Sequence, residues 1–220
     1  MDNPSKITEG GVEYSLGKFD GKRVVYDFPK ILIYLNAKGK LLFGKKFRIY
    51  EEDKSILLKL CSYFIKDKEN CATYGIDIDK GILLSGPVGC GKTSLMKLLR
   101  HIVPMQRPYE MIPCRNVTFG FNHLGFKTVE KYGNTKFYCF DDLGVEPAGR
   151  FYGKDLNVMG EVLLSRYELY LDTKHKIKTH ATTNLNAEEL EERYGNRVRS
   201  RMRELFNLIA FDISAGDKRK

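Results

Sequence analysis

The chain has 220 residues and a net charge of +9, with 42% hydrophobic and 30% charged residues, a balance that suits one domain with an appendage. No apolar run approaches the ~20 residues needed to cross a bilayer, and the first residues resemble no signal peptide. Five scattered cysteines without a C-x-x-C pair argue against a disulfide framework or a zinc site, and they favour a reducing cytoplasm.

The excess of positive charge has two readings. It favours polyanionic partners, nucleic acid first, or it is an ordinary solvated basic surface. Along the chain, residues 1–20 are polar and glycine-rich and are expected to be loosely ordered, whereas residues 22–48 fit strands or a helix. Residues 52–67 have the spacing of an amphipathic helix. We therefore predict a partly disordered N-terminal extension at 1–50, which is a candidate for binding a partner, a main domain at 51–213 and a basic tail at 214–220.

From residue 81 onward, apolar runs alternate with helical patterns. The predicted strands are 81–85, 109–113, 136–141, 177–183 and 207–213. The predicted helices are 92–102, 118–131, 155–172, 187–194 and 197–206. Asn186 and Glu189 have the spacing of a capping box at the start of one helix. This alternation predicts an α/β fold with a mostly parallel sheet and right-handed crossovers.

One octapeptide fits G-x-x-x-x-G-K-[ST], the pattern of a phosphate-binding loop, between a predicted strand and a predicted helix. Its glycines let backbone N–H groups turn toward a phosphate, and the helix N-terminus adds a favourable dipole. The lysine is expected to reach the β- and γ-phosphates, and the threonine hydroxyl to bind Mg²⁺. The residues are Gly86, Pro87, Val88, Gly89, Cys90, Gly91, Lys92 and Thr93, with Ser94 next in the helix.

Polar side chains end two further predicted strands. Asp141 and Asp142 follow the apolar run 136–140, where Asp141 is placed to hold Mg²⁺ and Asp142 to polarise the attacking water. Asn184 follows the strand 177–183 and is expected to sense the γ-phosphate or that water, unless it only begins a turn. Because parallel strands bind ligands at their carboxyl ends, these side chains are expected near the phosphate loop.

Arginines cluster near the C-terminus. Arg193, Arg197 and Arg201 follow one another at intervals of four, which on a helix makes one cationic stripe. Neighbouring glutamates offer ordinary surface ion pairs as the alternative. An arginine that cannot reach its own phosphate site can instead serve the site of a neighbouring subunit.

Four runs together resemble the AAA+ ATPases of the DnaC and IstB type, which are replicative helicase loaders and transposition helpers. The runs are 86–93, 140–146, 181–184 and 195–202, and the resemblance covers about 75–213. It implies a three-layer αβα P-loop fold, ATP as the nucleotide, Arg201 as an arginine finger and Arg197 as a second arginine of the same site. It further implies homo-oligomers formed in ATP and binding to single-stranded DNA.

The chain departs from this pattern at three places. Asp142 stands where many AAA+ proteins have glutamate, which is expected to slow hydrolysis. The 36 residues after Asn184 are too few for a helical lid, and Arg219 is only a weak candidate for the lid's arginine. Residues 1–50 match no helicase-binding domain of a loader.

The sequence thus predicts a slow ATPase, stimulated by oligomerisation or DNA, that assembles on single-stranded DNA and acts with a replicative helicase. The alternatives are a transposition helper that prefers duplex DNA and recruits a transposase, and a non-hydrolytic adaptor controlled by ATP. The aromatic and basic residues of one segment either line a DNA channel or form the face of a core helix. They are Phe119, Phe121, His123, Phe126 and Lys127.

Overall fold

The computed structural model describes residues 3–103, 109–172 and 176–219. The chain divides into two compact units, Met1–Ile76 with Ser94–Gln106, and Asp77–Thr93 with Arg107–Lys220. Residues 1 and 2 of the predicted extension and Lys220 of the predicted tail lie outside the described residues. The division of the chain at residues 50 and 213 stays a prediction.

The N-terminal unit begins with two antiparallel hairpins, although we expected loose order up to residue 20. Gly10 and Gly11, with φ of 58° and 80°, make the tight turn of the first hairpin, a geometry that glycine adopts without strain. A helix then fills most of the segment that the sequence left undecided. The elements are β1 (Lys6–Glu9), β2 (Val12–Ser15), β3 (Gly17–Phe19), β4 (Val24–Tyr26), α1 (Phe28–Phe43), α2 (Lys54–Phe64) and α3 (Lys68–Thr73).

Local signals explain the first long helix and its packing. Asp27 caps α1 by accepting a hydrogen bond from the backbone N–H of Lys30 at 3.2 Å, and Gly44, with φ of 99°, ends it. Tyr34 of α1 packs against Tyr14 of β2 with their ring centroids 5.6 Å apart. The predicted helix at 52–67 is confirmed as α2, preceded by a short 3₁₀ turn at Glu51–Asp53.

The second unit contains the predicted parallel sheet, and all five predicted strands are present. Its elements, including the helix α4 that continues into the first unit, are β5 (Gly81–Ser85), α4 (Lys92–Leu99), β6 (Glu110–Pro113), α5 (Cys114–Leu124), α6 (Lys127–Tyr132), β7 (Tyr138–Asp141), β8 (Gly149–Phe151), β9 (Lys154–Leu156), α7 (Val158–Asp172), β10 (Thr179–Thr183), α8 (Ala187–Leu205) and β11 (Phe206–Ala210).

The sheet has the strand order β11-β5-β10-β7-β6, and every neighbouring pair is parallel. Helices α5, α7 and α8 contribute to one apolar core with the strands, in which Phe140, Met159 and Ala181 are fully buried. No helix follows β11 within residues 211–219. The α/β fold with a parallel sheet that the sequence predicted is confirmed.

Two details of the second unit differ from the prediction, and a third agrees with it. The single helix predicted at 118–131 is two helices, because Gly125 (φ 60°) ends α5. The helix predicted from residue 155 begins at Val158, after a hairpin of β8 and β9 that the sequence did not indicate. The capping box of Asn186 and Glu189 is confirmed, and the break predicted between the helices at 187–194 and 197–206 is present in α8 at Gly195, whose φ of 78° and ψ of 160° are not helical.

Candidate functional site

The phosphate-loop sequence joins β5 to α4, the context that the motif requires. Gly89 and Gly91 have φ of 84° and 103°, in the left-handed region where a side chain would be strained. Lys92 is buried, and its ammonium group donates to the carbonyl oxygens of Gly86 at 2.7 Å and Pro87 at 2.8 Å. The lysine cation is therefore held within the turn of the loop, and Ser94 follows in the first turn of α4.

Thr93 and Asp141 meet at the carboxyl edge of the sheet. The Thr93 hydroxyl donates to Asp141 Oδ1 at 2.9 Å, and the hydroxyl of Thr182 donates to the same oxygen at 2.7 Å. The parallel registers of β5, β10 and β7 bring these residues together, since their strands end side by side. A hydroxyl and a carboxylate in contact fit Mg²⁺, which takes few protein ligands and keeps its other positions for water and phosphate oxygens.

No cluster of three or more histidine, cysteine or acidic side chains that would hold a metal ion occurs in the part of the chain that the structure describes. A site with a complete set of protein ligands, as in structural zinc centres, is thus missing from those residues. The pair of Thr93 and Asp141 is the place among the described residues whose chemistry would fit Mg²⁺.

Asp142 is turned away from the path of β7 by an unusual backbone. Its φ of 58° lies in the left-handed region, which aspartate tolerates better than most residues, and its N–H donates to Thr182 Oγ1 at 3.0 Å. Although the residue reaches solvent, protein atoms crowd its carboxyl group. That desolvation, and then the Asp141 carboxylate, raise the pKa of Asp142 above its ordinary value, against the lowering effect of Lys92 and Arg219.

Asn184 follows β10, whose end is hydrogen-bonded to the phosphate loop through Gly86 N–H and Thr183 O at 3.2 Å. The Asn184 Oδ1 atom is buried and has no hydrogen-bond partner among the described residues. Buried acceptors are normally satisfied, so an unsatisfied one next to the loop marks a place for a water or a ligand group. This orphan oxygen fits the expected contact of Asn184 with the attacking water.

The predicted arginine stripe is broken. Gly195 interrupts the helix between Arg193 and Arg197, so Arg193 does not continue the face that Arg197 and Arg201 share. Arg193 instead donates to the backbone oxygen of Glu146 and lies 3.8 Å from its carboxylate. The stripe failed because it assumed a continuous helix, and glycine at this position allows the chain to turn.

Arg197 is exposed and has no hydrogen bond or ion pair among the described residues. Arg201 pairs with Glu204 at 3.3 Å, and its guanidinium lies 4.7 Å from the centroid of the Tyr167 ring. The Arg201 side chain keeps 41% of its surface exposed. It is thus supported from one side and open to solvent on the other.

Arg201 lies toward the amino ends of the strands, whereas the phosphate loop of its own chain follows the carboxyl end of β5. Near the end of α8, the carbonyl of Arg203 accepts a hydrogen bond from Lys80 Nζ at 3.1 Å, just before β5 begins. Gly86 lies beyond the other end of β5, about 16 Å from Gly81 at the ordinary rise per residue of a strand. Arg201 is therefore displaced from its own phosphate loop along the direction of the strands.

Two residues that link β7 and the loop after it to β10 and α8 were not singled out from the sequence. The Thr182 hydroxyl donates to the Asp141 carboxylate and accepts from the backbone N–H of Asp142. No sequence pattern distinguished Thr182 from the neighbouring Thr183. Glu146 is buried and accepts from Gly144 N at 2.8 Å and from the Tyr194 hydroxyl at 2.6 Å, tying the loop after β7 to α8. Its place in the run 140–146 was the available signal, but only the structure shows its partners.

Comparison with known proteins shows the fold. No protein-family model and no curated protein matches the chain. Its structure is similar to a crystal structure of the DnaC helicase loader, at 18% identity and a TM-score of 0.53 over 76% of this chain and 95% of that one. It is also similar to the AMPPCP-bound DnaA from Aquifex aeolicus, at 17% identity and a TM-score of 0.53 over 78% of this chain and 50% of that one.

The five-stranded parallel sheet and its flanking helices match the αβα P-loop fold of AAA+ type, as the sequence predicted. At 17–18% identity the likeness extends to the fold alone. No helix among the described residues is long and apolar enough to cross a membrane.

Proposed function

We propose that this chain is an AAA+ ATPase of DNA replication, similar to helicase loaders, which assembles on single-stranded DNA. The observation that carries the proposal is the group formed by Lys92, Thr93 and Asp141, with Asp142 and the orphan oxygen of Asn184 close by. Each side chain has the chemistry that phosphoryl transfer to water requires. The proposal assigns these residues, with Gly86–Ser94 as the ATP-binding segment, to one active site.

The chain's own residues divide the work as follows. When ATP enters, Lys92 exchanges the loop carbonyls for phosphate oxygens, because a charged acceptor is the stronger partner of an ammonium group. Thr93 and Asp141 would hold Mg²⁺, which neutralises charge on the phosphates. Asp142 and Asn184 orient a water for attack. Asp142 has a left-handed backbone, and its N–H donates to the Thr182 hydroxyl, which holds this residue in place.

Arg201 is proposed to complete the site of a neighbouring subunit. Its position at the far edge from its own loop and its open side support this role, and Arg197 lies one turn before it on the same face. A guanidinium delivered in this way stabilises the charge of the transition state. Hydrolysis would then depend on assembly, and we expect a lone subunit to bind ATP but to turn it over slowly.

Exposed aromatic rings and nearby cations support binding to single-stranded DNA. Of the segment that the sequence left open, Phe121 is buried, but Phe119 and Phe126 are 45% and 62% exposed. Tyr152, at the tip of the hairpin of β8 and β9, is 90% exposed, and the Arg115 guanidinium lies 5.7 Å from the Phe119 ring centroid. Rings of this kind stack with bases, while the cations attract the backbone phosphates.

The N-terminal unit is proposed to contact a partner protein, with a replicative helicase as the first candidate. Ile33 and Leu41 of α1 are 63% and 61% exposed, which leaves apolar surface available to a partner. A transposase recovered with the chain, or a preference for duplex DNA, would favour a transposition helper instead.

The test of the ATPase is a matched pair of lysine variants on α4. Lys92→Ala should abolish ATP turnover, whereas Lys97→Ala should not, because Lys97 is exposed on the same helix. ATP turnover that is unchanged by Lys92→Ala would refute the proposal that this chain is an ATPase with Lys92 in its active site. ATP binding by the wild type without any turnover, even on DNA, would favour a non-hydrolytic adaptor.

A further inference from the structure

The C-terminal tail, residues 212–219, lies against the phosphate loop. The sheet dictates this position, because β11 runs parallel to β5 and Phe211 continues the pairing by donating its N–H to Ser85 O at 2.8 Å. The chain therefore leaves β11 beside the point where the phosphate loop begins. A Cβ atom at Gly86 would lie 2.6 Å from Phe211 Cβ, which shows how closely the two segments approach.

Two consecutive tail residues contact the loop. The N–H of Lys218 donates to Gly89 O at 3.1 Å. The Asp217 carboxylate packs directly on Gly89, where even a methyl group would overlap it. Gly89 thus has a second reason to be glycine, in addition to its backbone conformation.

Asp217 and Arg219 of the tail form an ion pair. The Asp217 carboxylate contacts the guanidinium of Arg219 at two points, with N–O distances of 3.0 Å and 3.1 Å. The Asp217 side chain is 31% exposed, against 66% for Arg219, so the acid is the more sheltered partner. Arg219 also interacts electrostatically with Asp142 across the loop. The tail therefore brings an anion and a cation to the place where phosphates are expected.

We propose that residues 217–219 are part of the nucleotide site and that Asp217 is a resident anion, which competes with the phosphates of ATP for the loop and for Arg219. A carboxylate in contact with Gly89 repels a triphosphate bound a few ångströms away, and it keeps Arg219 occupied. Phosphate oxygens accept the same two-point bond from a guanidinium that Asp217 accepts. Entry of ATP then releases Asp217 from the loop and transfers Arg219 to the phosphates. This inference rests on the proposed ATP site and makes Asp217 a residue that sets its affinity.

The first test measures the affinity of a fluorescent ATP analogue at low salt. Asp217→Asn keeps the shape of the side chain but removes its charge, and it should tighten binding about 10-fold, with the gain shrinking as salt is raised. Asp212→Asn is the matched control, because Asp212 is a tail acid that bonds to Ser214. An unchanged or weakened affinity for Asp217→Asn would overturn the proposal.

The second test follows the tail itself. All five native cysteines are buried, and a side chain at Gly216 would meet nothing within 4 Å, so Gly216→Cys offers a selective site for a dye. ATP should change the emission of that dye with the same midpoint as binding, and Lys92→Ala should remove the response. A dye that does not respond to bound ATP would contradict the proposal. If neither the wild type nor Asp217→Asn binds ATP, the proposed ATP site fails as well, whereas equal affinities refute the role of Asp217 alone.

Discussion

Replacing Glu146 should reveal how strongly the loop after β7 depends on α8. The Glu146 side chain is 2% exposed and accepts from the Gly144 N–H and the Tyr194 hydroxyl. Glu146→Ala leaves both buried donors unpaired, at 1–3 kcal/mol each, so we expect the free energy of unfolding to fall by about 3 kcal/mol. Glu146→Gln should cost about 1 kcal/mol, because the amide oxygen still accepts from Gly144 and the amide N–H₂ can donate to the Tyr194 oxygen.

Urea denaturation, followed by circular dichroism, measures these differences. Glu192→Ala is the matched control, because Glu192 is an exposed acid of α8, and it should stay within about 0.5 kcal/mol of the wild type. A double-mutant cycle adds a sharper criterion: Tyr194→Phe should cost about 1.5 kcal/mol in the wild type but much less in Glu146→Ala, where the hydroxyl has already lost its acceptor. If Glu146→Ala proves as stable as Glu192→Ala, the buried network does not hold the loop.

Three further predictions concern other parts of the second unit. Thr182→Val should lower ATP turnover at least about 10-fold while ATP binding changes less, because the Thr182 hydroxyl fixes Asp141 and Asp142. Thr182→Ser keeps the hydroxyl and should restore turnover, so equal turnover of the Val and Ser variants would contradict this role of the hydroxyl. Burial lowers the pKa of His180 to about 3, and the neutral ring accepts a hydrogen bond from the Ile82 N–H. The stability that this neutral ring contributes is therefore lost as the pH falls from about 6.5 toward 3, at up to about 1.4 kcal/mol per pH unit. In acid unfolding, His180→Asn should flatten this pH dependence, whereas the exposed control His123→Asn should not. Tyr152→Ala should weaken binding of labelled single-stranded DNA about 10-fold in anisotropy measurements, whereas Phe19→Ala, an exposed ring in the N-terminal hairpins, should not; equal affinities would place the DNA elsewhere.

The sequence was most informative where local chemistry decides the structure. The strand β5 and the capping box at Asn186 follow from short runs of residues, and the structure confirms both, with the octapeptide 86–93 joining β5 to α4 as predicted. Their signals are local: an apolar run of strand length, glycines before a lysine, and a polar cap three residues before a glutamate.

The sequence failed where long-range packing or a single backbone angle decides. The strands β8 and β9 have three residues each, too few for a periodic pattern, and α5 buries Phe121 against the ring of Phe151. Gly195 read as an ordinary glycine between two helices, yet its φ separates Arg193 from Arg197. The contact of Asp217 with Gly89 joins residues more than a hundred positions apart, and only the order of strands in the sheet brings them together.

The most direct test of a shared ATP site mixes two inactive variants. Lys92→Ala lacks its own phosphate-loop cation but keeps Arg201, and Arg201→Ala keeps the loop but lacks the arginine; each should hydrolyse ATP poorly, and Arg201→Ala should still bind it. In an equal mixture on single-stranded DNA, about a quarter of the interfaces join an intact loop to an intact Arg201, so activity should return to about that fraction of the wild type. A mixture that assembles yet stays inactive, or an Arg201→Ala variant with wild-type turnover, would contradict the claim that one subunit completes the site of the next.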